Sequence, residues 1–180
     1  MKTILMSLTL SRIIAGPLVL VLAIYSEMLY LALLTFILAS ITDYLDGRIA
    51  RKYKLESNLG EILDPIADKI LLLFSLLAII VLSDNQFVYL MTGAILAREF
   101  WVSAIREYHL VSNSSIRRLK VTFSAKIKTT IQFIAISFYF FGFASGLSII
   151  IFLSDFLLFI AMLLTIKTGI DYTNSVYKGN

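Results

Sequence analysis

Long apolar stretches alternate with short polar segments along the chain, and this alternation predicts helices that span a membrane. Three stretches, residues 13–42, 70–97 and 129–166, contain a single charged residue each. Because a spanning helix takes about 20 residues, each stretch provides most of two helices that turn near its middle and extend into the charged flanks. The pattern therefore predicts three helical hairpins, and hence six helices.

The predicted fold class is an all-α integral membrane protein that forms one catalytic domain over residues 1–180. The approximate spans are residues 7–25, 30–50, 58–82, 86–108, 122–143 and 148–171. The end of the fifth helix stays open, because both Gly142–Gly146 and Leu153–Asp155 have the composition of a turn.

The basic residues indicate how the helices cross the membrane. With six helices, all 16 lysines and arginines fall outside the three hairpin turns, on one side of the membrane. The positive-inside rule makes that side cytoplasmic, with both termini there. The 12 acidic residues divide into nine inside and three outside, so the inner face carries a formal charge of +7 and the outer face −3.

Composition narrows the classes of function. The chain is 59% hydrophobic and 16% charged, with a mean hydropathy of +0.88, whereas charged residues make up about 25% of an average soluble protein. A soluble enzyme is therefore excluded. A net charge of +4 would suggest nucleic acid as the partner of a soluble protein, but here the distribution of charge across the membrane matters more, and the expected partner is membrane lipid and not nucleic acid. The absence of cysteine excludes thiolate chemistry, and a single histidine, His109, leaves most acid–base chemistry to carboxylates.

Four aspartates lie where helices two and three are predicted to meet the cytoplasm. Asp43 and Asp46 are three residues apart and Asp64 and Asp68 are four apart, and both spacings place a pair on one helix face. Ionisable side chains are costly within a membrane and are usually functional there. A short loop joins the two helices, so we expect them to pack antiparallel and form a cage of carboxylates. Such ligands favour Mg²⁺ or Mn²⁺, and two ions could bridge a diphosphate.

Three further residues lie beside this predicted cage. Gly47 and Gly60 would let a ligand approach the backbone closely, and Arg51 offers a bidentate fork to a phosphate group. The alternative interpretation of the glycines is tight packing between helices, which is common in membranes.

Together these residues resemble the signature of the CDP-alcohol phosphatidyltransferase family at all eight of its fixed positions. The matching pattern is Asp43-x2-Asp46-Gly47-x2-Ala50-Arg51-x8-Gly60-x3-Asp64-x3-Asp68. The resemblance implies a six-helix membrane fold, which agrees with the number of helices obtained from hydropathy. Because members of the family are often dimers, it also makes a homodimer an expectation.

The resemblance implies a reaction and a role for each matching residue. Members of the family transfer a phosphatidyl group, usually from CDP-diacylglycerol, to an alcohol and release CMP. Their aspartates hold two divalent ions, Mg²⁺ or Mn²⁺, which implies the metal ligands Asp43, Asp46, Asp64 and Asp68. The last of them, Asp68, is implied as the general base. The implied CDP-binding residues are Asp46, Gly47, Ala50, Arg51 and Gly60.

Segments outside the signature indicate which alcohol accepts the phosphatidyl group. Ala97–Glu99, Ser103–Glu107, Ser124–Thr130 and the beginning Leu8–Arg12 resemble the bacterial branch of the family that uses sn-glycerol 3-phosphate. This resemblance implies phosphatidylglycerophosphate as the product, in the bacterial inner membrane with the site facing the cytoplasm. Basic residues on helices four and five would bind the acceptor phosphate, and the candidates are Arg98, Arg106, Lys126 and Lys128. Glu99 could orient Arg98 or Arg106 by a salt bridge.

Three alternatives stay open at this point. Serine, inositol phosphate or phosphatidylglycerol could be the acceptor within the same family. Membrane prenyltransferases also use aspartates and Mg²⁺ to bind diphosphates, but they are longer and space their aspartates differently. A divalent-cation transporter would need acids near the middle of the membrane, whereas the four aspartates lie at its predicted inner rim.

Overall fold

The computed structural model describes residues 2–53, 58–112 and 123–178, and within them the side chains of residues 6–42, 63–108 and 126–176. The described chain is helical throughout and contains no strand. The six α-helices are, in chain order, α1 Lys2–Ile24, α2 Leu29–Tyr53, α3 Asn58–Leu82, α4 Gln86–Ser112, α5 Phe123–Ser145 and α6 Ser148–Lys178. A short 3₁₀ turn, Ser26–Met28, precedes α2. The all-α fold class is thus confirmed for the described residues.

The surface of these helices is suited to lipid rather than water. Helices α1, α3, α4, α5 and α6 are long and apolar enough to cross a membrane. Within the described side chains, the apolar segment Ser26–Thr42, which includes the first part of α2, is shorter. Large apolar side chains face outward, among them Ile14, Phe87 and Leu90, which are 69%, 74% and 70% exposed. Apolar surface on this scale is costly in water, so the chain is an integral membrane protein.

The chain divides into two compact units. The first comprises the described residues of Met1–Asp84 and Ser137–Ile151, and the second those of Asn85–Ile136 and Phe152–Asn180. The first unit therefore contains α1, α2, α3 and the turn between α5 and α6. The second contains α4, the first part of α5 and most of α6.

The turn between α5 and α6 lies at one of the two places that the sequence left open. Gly146 has a φ of 69°, a left-handed conformation that a residue without a Cβ adopts at little cost. Helix α5 ends just before it, at Ser145, and α6 begins just after it, at Ser148. The other candidate, Leu153–Asp155, lies inside α6.

Helix α1 is the main neighbour of α3 in the first unit. It packs along both α2 and α3, whereas the described parts of α2 and α3 touch each other only sparsely. Gly16 permits the close approach of α1 to α3, because a Cβ there would lie 3.0 Å from the backbone oxygen of Ile70. The direct packing of helices two and three that the short loop suggested is therefore minor among the described residues.

We expect Gly16→Val to destabilise the first unit. The new side chain would meet the Ile70 backbone, which cannot rotate away, so α1 and α3 would have to separate; overpacking of this kind costs about 1–3 kcal/mol. Gly93→Val is the matched control, since a Cβ at Gly93 of α4 meets nothing within 4 Å. Thermal unfolding in detergent should show a midpoint several degrees lower for Gly16→Val, and equal midpoints for the two variants would contradict the close approach.

Candidate functional site

The predicted carboxylate cage lies at the end of α2 and the beginning of α3. Helix α3 contains Gly60, Asp64 and Asp68. Helix α2 contains the remaining positions of the signature, which are Asp43, Asp46, Gly47, Ala50 and Arg51. The side chains of these α2 positions, and the surroundings of Gly60, lie outside what the structure describes, so their roles stay predictions. The contacts of Asp64 and Asp68 are described.

Asp64 and Asp68 lie one turn apart on α3, and both bind the same cation, Arg12 of α1. One terminal nitrogen of the guanidinium donates to Asp68 Oδ1 at 2.8 Å, and the other donates to Asp64 Oδ1 at 3.2 Å. The hydroxyl of Thr9 donates to the same Asp64 oxygen at 2.7 Å. Arg12 is fully buried, whereas the side chains of Asp64 and Asp68 are 48% and 49% exposed. Side chains of α1 therefore bind the two carboxylates, which stay accessible on their exposed side.

This pair of aspartates fits the predicted divalent metal. Carboxylates that converge on one guanidinium can also converge on one metal ion, and oxygen is the donor that Mg²⁺ and Mn²⁺ prefer. Each carboxylate has two oxygens, so a bond from Oδ1 to Arg12 leaves Oδ2 as a second donor atom. Among the described side chains, no three acidic, histidine or cysteine residues come together. Asp43 and Asp46 are the predicted source of the remaining ligands.

Two of the predicted acceptor-binding residues meet in the second unit through Glu99. Arg98 donates to Glu99 Oε1 at 3.1 Å and to the hydroxyl of Thr168, on α6, at 2.9 Å. Lys128 of α5 is buried and donates to the same Glu99 oxygen. The predicted salt bridge between Glu99 and Arg98 is present in the structure, and Lys128 is its second partner. One carboxylate thus holds two cations side by side.

The other two predicted acceptor-binding residues make different contacts. The guanidinium of Arg106 stands 5.9 Å from the centre of the Tyr172 ring, which is within the range of a cation–π contact. Lys126 is exposed on α5. Gly169 of α6 makes room for Arg98, since a Cβ there would lie 2.9 Å from Arg98 Cγ. Among the described side chains, Arg98 and Lys128 share the Glu99 carboxylate, and Arg106 lies near enough to Lys128 for the two charges to interact.

Arg12 and Thr9 carry no predicted role, although both contact the predicted metal ligands. In the sequence, Arg12 counts as one of many basic residues on the cytoplasmic side. A signal was nevertheless present, because Arg12 lies inside the apolar span Met6–Ile24. A charged side chain within a span is expected to bind an opposite charge. Thr168, which binds Arg98, has no comparable signal in the sequence.

Comparison with protein families identifies the class to which this arrangement belongs. A family model described as CDP-alcohol phosphatidyltransferase matches residues 3–167 of the chain. The matched range includes Arg12 with its two aspartates, and also Arg98 and Lys128.

Curated bacterial relatives are similar over most of the chain. The relative from Rickettsia felis is 40% identical over 175 residues, which is 95% of this chain and 93% of the relative. The relative from Haemophilus influenzae is 31% identical over 151 residues, which is 84% of this chain and 79% of the relative. Both relatives are named CDP-diacylglycerol–glycerol-3-phosphate 3-phosphatidyltransferase. The extent of these matches shows that the chain belongs to the CDP-alcohol phosphatidyltransferase family.

Proposed function

We propose that this protein transfers the phosphatidyl group of CDP-diacylglycerol to sn-glycerol 3-phosphate, giving phosphatidylglycerophosphate and CMP. Membership of the family supports the reaction class, and the shared name of the relatives supports the acceptor. The structural observation that carries the proposal is the pair Asp64 and Asp68. These aspartates end the family signature, and their carboxylates converge on a single cation.

The proposed setting is the bacterial inner membrane, with six spans, both termini in the cytoplasm and the site facing the cytoplasm. The confinement of basic residues to one side supports this orientation. Helix α2 continues to Tyr53, and this continuation beyond the apolar segment would complete the sixth span. The lipid substrate would enter sideways from the bilayer, and the polar acceptor would come from the cytosol.

The proposed transfer requires a base and stabilisation of negative charge. A hydroxyl oxygen of glycerol 3-phosphate bonds to the phosphorus that bears diacylglycerol, and the bond from that phosphorus to the bridging oxygen breaks. CMP leaves with the bonding electrons, and the hydroxyl proton passes to Asp68, whose carboxylate is half exposed. A carboxylate is a weak base, so its placement matters more than its basicity. Divalent ions bound by the four aspartates would supply positive charge for the diphosphate.

Arg98 and Lys128 are the proposed ligands of the acceptor phosphate. They share one carboxylate, Glu99, so the cluster of three keeps a formal charge of +1. Arginine and lysine bind phosphate by charge-assisted hydrogen bonds, and arginine can do so with two nitrogens. Glu99 and Thr168 fix the direction of the Arg98 side chain. Arg106 and Lys126 are proposed as more peripheral contacts of the same acceptor.

The decisive experiment is CMP release by the purified protein in lipid nanodiscs that contain CDP-diacylglycerol. Glycerol 3-phosphate, serine, inositol phosphate and phosphatidylglycerol are offered separately, with Mg²⁺, with Mn²⁺ or with EDTA. We expect release with glycerol 3-phosphate and a divalent ion, and its loss in EDTA, because uncompensated carboxylates repel a diphosphate.

Each alternative result, in this experiment or in a liposome uptake assay, has a definite meaning. Release with only one of the other acceptors would overturn the glycerol 3-phosphate assignment and leave the reaction class standing. CMP release that is unchanged in EDTA would overturn the proposed role of divalent ions in the reaction. Uptake of Mn²⁺ into liposomes without CMP release from any acceptor would favour a transporter.

A further inference from the structure

Arg12 is the one fully buried arginine among the described side chains, and it binds two predicted metal ligands. Its exposed fraction is 0%, and its guanidinium joins Asp68 at 2.8 Å and Asp64 at 3.2 Å. Removing a guanidinium from water is expensive, and a buried ion pair often stabilises a fold no better than apolar side chains of the same size. Packing alone therefore gives little reason for an arginine at this position.

The shape of the guanidinium matches the spacing of the two aspartates. Its terminal nitrogens are separate donors in one rigid plane, and each of them binds a different carboxylate. Because Asp64 and Asp68 are one helical turn apart, the planar group fixes the orientation of one relative to the other. A lysine has a single nitrogen at the end of a flexible stem and cannot fix two carboxylates in this way.

Thr9 adds a second contact from the same side of α1. It is three residues before Arg12, so both side chains lie on one face of the helix. Its hydroxyl is buried and donates to Asp64 Oδ1, the oxygen that also accepts from Arg12. The Oδ1 atoms are thus bound from α1, while about half of each carboxylate side chain stays exposed.

We propose that Arg12 and Thr9 are positioning residues that set the direction of Asp64 and Asp68 toward a divalent ion. This role rests on the proposed function, because it assumes that the two aspartates bind metal. Side chains that orient metal ligands through hydrogen bonds change metal affinity without touching the metal. Arg12 and Thr9 act through the aspartates, and neither is a catalytic residue.

Two variants that keep the formal charge test this role, Arg12→Lys and Thr9→Val. Because the charge near the ion is unchanged, a loss of affinity reports the orientation of the carboxylates. We expect the Mn²⁺ dissociation constant of the purified protein, measured by electron paramagnetic resonance without substrate, to rise about tenfold in each variant. At saturating Mn²⁺ the KM for CDP-diacylglycerol should stay close to that of the wild type.

Thr92→Val is the matched control for Thr9→Val. Thr92 is also buried in a helix, but its hydroxyl donates to the backbone oxygens of Val88 and Tyr89 within α4. This variant should bind Mn²⁺ like the wild type. If Thr92→Val lost as much affinity as Thr9→Val, the loss in Thr9→Val would reflect general destabilisation, and the positioning role of Thr9 would be overturned. Thr9→Val, which removes one hydroxyl, keeps the proposal testable if Arg12→Lys does not fold.

The results separate this role from the proposed function. Wild-type affinity for Mn²⁺ in folded Arg12→Lys and Thr9→Val would overturn the positioning role and leave the metal site standing. A wild-type protein that binds no Mn²⁺ would overturn the metal site and the positioning role together. Weaker Mn²⁺ binding in both variants, with wild-type binding in Thr92→Val, would support the role.

Discussion

The Asp68→Asn variant is expected to lose about a thousandfold in kcat, the range that a general base contributes. Asparagine keeps the size of aspartate and an oxygen that can accept from Arg12, but it cannot take up the proton of the acceptor hydroxyl. The buried arginine also keeps Asp64 as a counterion, at 3.2 Å, so the variant should fold. The measurement is the rate of CMP release at saturating CDP-diacylglycerol, glycerol 3-phosphate and Mn²⁺.

Saturating metal is essential in this measurement, because Asp68 is also a predicted metal ligand. Activity that returns to the wild-type level at high Mn²⁺ would show that Asp68 binds metal and is not the base. Full activity at ordinary Mn²⁺ would contradict both roles. Asp84→Asn is the control, since Asp84 is exposed in the turn between α3 and α4, and it should leave kcat unchanged.

The helices were predictable because their signal is local. Each apolar stretch is long enough for most of two spanning helices, and a polar or glycine-containing segment near its middle marks the turn between them. Composition did not decide the position of the turn between α5 and α6, because Gly142–Gly146 and Leu153–Asp155 both contain turn-forming residues. The backbone decides it, since Gly146 adopts a positive φ, whereas Asp155 lies inside α6.

The candidate site was predictable only where its residues are close in the chain. The spacing of Asp64 and Asp68 places them on one helix face, and the structure has them binding one cation. Their partner Arg12 is more than 50 residues away in sequence, and no local pattern pairs it with them. The pairing of Glu99 with Arg98 was predicted from adjacency, whereas its contact with Lys128, 29 residues further on, was not.

In each of the two described clusters, one charged side chain binds two side chains of the opposite charge, and the signs are reversed between the clusters. In the first unit one cation, Arg12, binds two carboxylates, so the cluster has a formal charge of −1. In the second unit one carboxylate, Glu99, binds two cations, so that cluster has a formal charge of +1. Each surplus is opposite in sign to the proposed ligand, a metal ion for the first cluster and a phosphate group for the second. The shared counterion in each case would fix the proposed ligating side chains before the ligand arrives, which would lower the cost of binding.

Lys128→Met should raise the KM for glycerol 3-phosphate by about thirtyfold, because a hydrogen bond to a charged group contributes about 1.5–3 kcal/mol. Methionine fills much of the space of the buried lysine stem and removes the charge. Glu99 keeps Arg98 as a partner, at 3.1 Å, so the variant leaves no carboxylate unpaired and should fold. The KM for CDP-diacylglycerol should change little, because the proposed contact is with the acceptor.

A matched control distinguishes this role from a general effect of losing a positive charge. Lys167 is exposed on α6 in the same unit, and Lys167→Met should leave both KM values unchanged. An equal rise for the two variants would mean that the overall charge, and not a contact with the acceptor, sets the affinity. A fall in kcat for Lys128→Met with an unchanged KM for glycerol 3-phosphate would place Lys128 outside the acceptor site, since a residue that binds the acceptor phosphate must affect its affinity.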